Sequence, residues 1–171
     1  DDPAKTLAAT APLDALMLPR LLRAMGEPRD GLDLISPYFV PGPDVTASMT
    51  GMVDKDVTVG IVTNSLAAND VAAVYGAYRP YRDDLLRGGV RVYELRAQGH
   101  PDSSLFGSSG ASLHTKAYSV DDARGFIGSF NLDARSAYLN TEMGVMFDDP
   151  QLAKAVRDEY LRLAGPELSY W

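Results

Sequence analysis

His114 and Lys116 stand two residues apart, and Ser129 and Asn131 repeat that spacing fifteen residues later. A strand has a period of two, so each pair projects from one face wherever the chain is extended. Between the pairs, Asp121, Asp122 and Gly125 supply turn chemistry, and Gly125-Phe126-Ile127-Gly128 begins a second strand. The stretch from 112 to 131 therefore reads as two strands and a turn. It brings an imidazole, an ammonium, a hydroxyl and an amide to one spot. That set suits a phosphodiester. The imidazole can attack phosphorus or protonate a leaving oxygen, while the ammonium and the neutral donors stabilise the equatorial oxygens as charge builds.

His114, Lys116, Asp121, Gly128, Ser129 and Asn131 keep every spacing of the His-x-Lys-x4-Asp-x6-Gly-Ser-x-Asn motif, so the sequence resembles the phospholipase D superfamily. A chance strand hairpin bearing a His and a Lys does not account for six positions fixed in this way. The likeness extends to Ile35–Gly42 (Ile-Ser-Pro-Tyr-Phe-Val-Pro-Gly), to Thr63–Asp70 (Thr-Asn-Ser-Leu-Ala-Ala-Asn-Asp) and to residues 128–144. Together these look like the C-terminal half of a bacterial cardiolipin synthase of the C-type subgroup. The resemblance implies Lys116, Ser129 and Asn131 as phosphate-binding groups and Asp121 and Gly128 as structural members of the motif. It also implies that Glu142, on the strand after the motif, is the acceptor that holds the second ring nitrogen of His114.

Composition sets limits. A net charge of −7 argues against a polyanion-binding surface, since nucleic-acid binders carry basic patches. There is no cysteine, so disulfides and thiolate metal sites are absent. With His100 and His114 the only histidines, a His-rich metal site cannot be built. Asp121, Asp122 and Asp133 could instead hold a divalent ion, but they show no ligand spacing. No apolar run reaches the ~18 residues of a membrane span.

Local patterns along the chain predict the scaffold that holds the motif. Residues 1–17 lack periodicity and read as a linker from a missing preceding domain. The chain opens on Asp rather than Met, which fits a piece of a longer protein. Residues 18–171 read as one phospholipase D-like catalytic domain. Leu18, Leu21, Leu22 and Met25 predict a helix with one buried face, ended by Gly26 and Pro28. Leu32–Ser36 predicts a buried strand, followed by a loop in which Tyr38 and Phe39 form either an apolar wall for substrate or ordinary packing. Asp44 predicts the cap of a short helix with Val45, Met49, Met52 and Val53 on one face. Strands come at Val57–Val62 and Val90–Leu95, with Asn64 as a substrate donor or, more simply, a turn residue. Between them Asn69 or Asp70 caps a helix that Pro80 should kink or split. Residues 96–112 form a polar Gly/Ser-rich loop holding His100, a candidate lid or rim. Leu132–Ser136 predicts a turn or short helix, and Thr141–Phe147 a strand carrying Glu142. Asp149-Pro150 then starts a last helix with Leu152, Val156, Tyr160 and Leu163 as its apolar stripe, and a short tail ends the chain.

Strand alternating with helix predicts an α/β fold, a mixed sheet with helices on both faces. The resemblance implies phosphatidyl transfer through a phosphohistidine, as in cardiolipin synthesis from phosphatidylglycerol, with no metal or organic cofactor. It leaves open whether His114 is the nucleophile or the acid. It further implies a phospholipid substrate, a peripheral place on the cytoplasmic side of the inner membrane, and a second histidine from an N-terminal half or a homodimer partner. Alone, the chain is then an incomplete half-site. The alternatives are a phospholipase D-type hydrolase or nuclease, which net charge disfavours, and a lipid-binding half inactive by itself.

Overall fold

The computed structural model describes residues 16–69, 71–97 and 113–171. Most of the expected linker (residues 1–15), Asp70 and most of the expected rim loop (98–112, with His100) lie outside the described residues.

The described elements are α1 (Met17–Met25), β1 (Gly31–Ile35), α2 (Gly42–Val53), β2 (Thr58–Asn64), α3 (Ala72–Arg87), β3 (Arg91–Leu95), β4 (Lys116–Val120), β5 (Arg124–Gly128), α4 (Ala134–Tyr138), β6 (Gly144–Asp148), α5 (Pro150–Ala164) and β7 (Ser169–Tyr170). The seven strands form one mixed sheet in the order β6-β5-β4-β1-β2-β3-β7. β1, β2 and β3 are parallel, as right for strands joined through helices, and the rest pair antiparallel. This is the expected α/β sandwich with a mixed sheet.

Alternation along each strand divides the core between the two faces. Leu32, Val59, Ile61, Val92, Tyr118 and Val120 pack with Leu21 and Met25 of α1, Met49 of α2, and Tyr78 and Leu85 of α3. On the other face Ile35, Val62 and Leu95 meet Tyr160 and Leu163 of α5, together with Leu113. Helix α5 is capped as expected: Asp149 Oδ1 accepts from Gln151 N at 2.8 Å and Leu152 N at 3.1 Å.

Several expectations need correction. Pro80 does not split α3, which runs unbroken through it. The carbonyl it leaves unbonded belongs to Gly76, and both residues are exposed, so water can serve that carbonyl. The N-cap position of α2 is Pro41, with Asp44 in the first turn. In α5 the inward stripe uses Ala153, fully buried, where Leu152 was expected; Leu152 is 47% exposed. The tail contains β7, whose two residues pair with β3. Strand β2 runs on to Asn64, which is a buried strand residue rather than a turn residue.

Candidate active site

The carboxyl ends of β1 and β2 and the amino end of β4 lie at one edge of the sheet, because β4 runs antiparallel to β1 with Ala117 opposite Ile35. A cavity of about 1070 Å³ opens there, lined by Tyr38, His114, Lys116, Gly128, Ser129, Asn131 and Glu142, among others. Seven residues singled out in the sequence thus share one space.

The local route differs from the expected hairpin. Strand β4 begins only at Lys116, so His114 is in the lead-in before the ladder, exposed, while Lys116 is 8% exposed. Lys116 Nζ donates to the His114 carbonyl at 2.6 Å. On the return side β5 ends at Gly128, opposite Lys116. A Cβ on Gly128 would fall 2.5 Å from both the Met143 carbonyl and the Phe126 ring, so only glycine lets the three segments close up here. Ser129 and Asn131 come after the strand instead of belonging to it. Ser129 is tied to Met143, its N–H donating to the Met143 carbonyl at 2.8 Å and its Oγ accepting from Met143 N at 3.0 Å.

Asn131 is fixed from both sides. Its Oδ1 accepts from Tyr38 N at 3.3 Å and its own N–H donates to Ser136 Oγ at 3.3 Å. With the amide oxygen engaged, the NH2 side of the group is the donor available to a ligand. Ser36 Oγ braces the same region, donating to the Tyr38 carbonyl at 2.7 Å and accepting from Leu132 N at 3.0 Å. Of the two aromatic residues, Tyr38 lines the cavity, whereas Phe39 is 1% exposed and packs on Tyr78 with ring centroids 5.7 Å apart.

Glu142 is buried and precedes β6, which starts at Gly144 rather than Thr141. Its carboxylate accepts from Ser129 Oγ in a short contact and from Asn140 Nδ2 at 3.3 Å. The Ser129 hydroxyl therefore has an anionic acceptor beside it and must turn from Glu142 to serve a phosphate. This contact was not foreseen; Ser129 and Glu142 are thirteen residues apart and nothing in their spacing announces it.

Asp121 sits at the far end of β4, with φ +53°. Its carboxylate accepts from the N–H groups of Arg29, Asp30 and Gly31 at 2.9–3.2 Å. Burial alone would raise its pKa, but those N–H groups and Arg124 outweigh it and hold the carboxyl below the ordinary carboxylate range. Asp122 pairs with Arg157 on α5, and Asp133 caps α4 by accepting from Ser136 N at 2.8 Å. The three aspartates do not gather, and no group of acidic or histidine side chains suited to a metal occurs among the described residues.

Residues 21–164 match the family described as cardiolipin synthase, PLD-like domain. The chain is 45% identical over 167 residues to cardiolipin synthase C of Escherichia coli, covering 95% of this chain and 35% of that protein. It is 32% identical over 144 residues to cardiolipin synthase A of Citrobacter koseri, covering 82% and 26% respectively. The chain thus spans about a quarter to a third of the length of the curated relatives it matches. Among solved structures it resembles a phospholipase D family member, Nuc, from Salmonella typhimurium, with a TM-score of 0.67, 17% identity and 90% of each chain covered. Phosphatidylserine synthase of Haemophilus influenzae superposes with a TM-score of 0.59 at 18% identity, over 86% of this chain and 35% of that one. At such identities these two likenesses speak for the fold alone. The sequence match over most of the domain does more: this chain belongs to the cardiolipin synthase, PLD-like domain family.

Proposed function

We propose that this chain is one catalytic lobe of a phosphatidyltransferase that forms cardiolipin from phosphatidylglycerol. The observation that carries the reading is the convergence of His114, Lys116, Ser129, Asn131 and Glu142 on one cavity, in a chain akin to cardiolipin synthases. In the proposed chemistry one histidine attacks the phosphodiester. The P–O bond to the leaving glycerol breaks as the P–N bond of a phosphohistidine forms, and a second histidine protonates the departing oxygen. The headgroup hydroxyl of another phosphatidylglycerol then gives its proton to the second histidine and attacks phosphorus; its new P–O bond replaces the P–N bond, which frees the first histidine. Lys116 and the Asn131 amide, with Ser129 once turned from Glu142, donate to the phosphoryl oxygens. Glu142 is the acidic group of the site and orients His114. No metal or cofactor takes part.

His114 is the one histidine among the described residues lining the cavity, and His100 has no lysine at the motif spacing after it, so in this reading the second histidine comes from another lobe, either an N-terminal half or a second copy. The rim supports this. Ile127, Leu139, Met143 and Val145 line the cavity and are 47%, 56%, 80% and 67% exposed, an apolar collar of the kind that contacts a partner. A peripheral place on the cytoplasmic face of the membrane completes the proposal. No described helix is long and apolar enough to cross a membrane.

The test is conversion of phosphatidylglycerol by the isolated 171-residue chain over a concentration series. The proposal expects no conversion by the monomer. Activity first order in protein at a monomeric mass would refute the need for a second lobe. Hydrolysis of DNA in preference to lipid, with a steep dependence on salt, would favour a nuclease instead.

A further inference from the structure

Asn64 is the last residue of β2 and is 1% exposed. Its carboxamide lies against the main chain of Leu113: Oδ1 accepts from Leu113 N at 3.1 Å, and Nδ2 donates to the Leu113 carbonyl at 3.5 Å. An amide carries acceptor and donor in one plane, so one side chain can grip both polar groups of one residue. An aliphatic residue would suit so buried a position better were packing all that mattered.

The contact bears on the residue next along the chain, His114, which is exposed and outside any ladder. Strand β4 neighbours β1 and β5, not β2, so Asn64 reaches Leu113 beyond the end of β1. From Lys116 onward the chain is held by β5, and from Ala117 by β1. His114 is thus spanned by two fixed points: the ladder after it, and Leu113 before it. Leu113 is held by the Asn64 clasp and by a side chain buried among Ile35, Val62 and Tyr160.

We propose that Asn64 is a positioning residue whose clasp on Leu113 sets the place of the His114 imidazole for the chemical step. This rests on the reading that His114 acts in that step. An imidazole displaced by ~1 Å costs on the order of 10²-fold in rate, so the effect belongs in kcat and not in substrate affinity.

The experiment compares Asn64→Ala, Asn64→Asp and His114→Ala in the enzyme that contains this chain with its second histidine lobe. Amide exchange at Leu113 is measured in the 171-residue chain. Asn64→Ala is expected to lower kcat by about 10- to 100-fold with KM within about twofold, and to speed Leu113 exchange while β2 and β3 amides stay protected. Asn64→Asp keeps the acceptor for Leu113 N–H, so it should retain Leu113 protection and recover part of kcat. A folded Asn64→Ala enzyme with wild-type kcat would overturn the proposal. Should the alanine variant not fold, the aspartate variant decides: inactivity with Leu113 still protected contradicts a positioning role. Turnover surviving His114→Ala would defeat the proposed function itself. Turnover lost in His114→Ala but intact in Asn64→Ala defeats only the positioning role of Asn64.

Discussion

Asp121 belongs to the motif, yet the structure gives it work far from the chemistry. It comes just after the last residue of β4, and Lys116 is the first. Five strand steps at ~3.3 Å each put it roughly 17 Å from the cavity. There its carboxylate accepts three main-chain N–H groups at the entrance to β1 and lies 3.6 Å from Arg124. The N–H groups of Arg29 and Asp30 are exposed and can turn to water, whereas that of Gly31 is partly buried. One charge-assisted hydrogen bond to a partly buried donor is worth about 1.5–3 kcal/mol, so we take about 2 kcal/mol for the anchor. Asp121→Gly removes the anchor without straining the left-handed backbone and should lower Tm by about 4–8 °C. Asp121→Ala adds about 1 kcal/mol of backbone strain and should fall further. Asp121→Asn keeps the turn and a neutral acceptor and should lose least. The folded-state pKa lies below the ordinary 3.8, so the charge contributes fully above pH 3.8. The charge-dependent part fades as pH falls through the folded value, where wild type should approach the Asn variant while the Gly variant, which has no acceptor at any pH, stays below both. The assay is thermal unfolding at pH 7 and in acid, beside turnover well below Tm. Turnover of the folded variants should stay within about threefold of wild type, too small a change for a lost acid–base group. Collapse of turnover with Tm unchanged would refute the anchor reading and place Asp121 in the chemistry.

Three further outcomes are expected. Asp33 faces α5, and burial pushes its carboxyl up to about 6, opposed by Arg157 and Arg91 and reinforced by Asp122. An acid raised in the folded state is stabilising below its unfolded pKa and a burden above the folded one. Asp33→Asn should therefore raise stability at pH 7.5 by up to about 3 kcal/mol and change little below pH 3.8, as unfolding at the two pH values would show; a loss at pH 7.5 would contradict this. Gly60 faces the Tyr160 hydroxyl, which a Cβ would approach to 1.9 Å, so Gly60→Ala should cost about 1–3 kcal/mol in denaturant unfolding, and no loss would show that α5 shifts freely. Glu142→Gln should lower kcat about 10²-fold or more with KM little changed, checked by steady-state kinetics; unaltered kcat would remove Glu142 from the mechanism.

The motif was readable because its residues are fixed by one another's spacing, and the cavity gathers those expected there. Helix ends were readable where chemistry marks them, as at Asp149-Pro150. What escaped depended on tertiary contact. Alternation alone put His114 and Lys116 on one strand, but the ladder needs partners, and its first partner for β4 is Gly128, opposite Lys116. A carboxamide at a strand end reads locally as a turn residue; only the approach of Leu113 makes Asn64 a buried clasp. Leu152 fits an apolar stripe, yet close approach of α5 to the sheet favours Ala153 inside. Strand β7 is two residues long and owes its existence to β3.

The step to be tested is phosphatidyl transfer by His114 in this cavity. Its most direct test is cardiolipin formation from phosphatidylglycerol by His114→Ala, in the enzyme holding this chain and its second histidine lobe, whether that lobe comes from the same polypeptide or another copy. We predict a loss of about 10²–10⁴-fold or more in turnover, with Tm nearly unchanged because the imidazole is exposed and outside the ladder. Near-normal turnover in a folded His114→Ala enzyme would contradict the account.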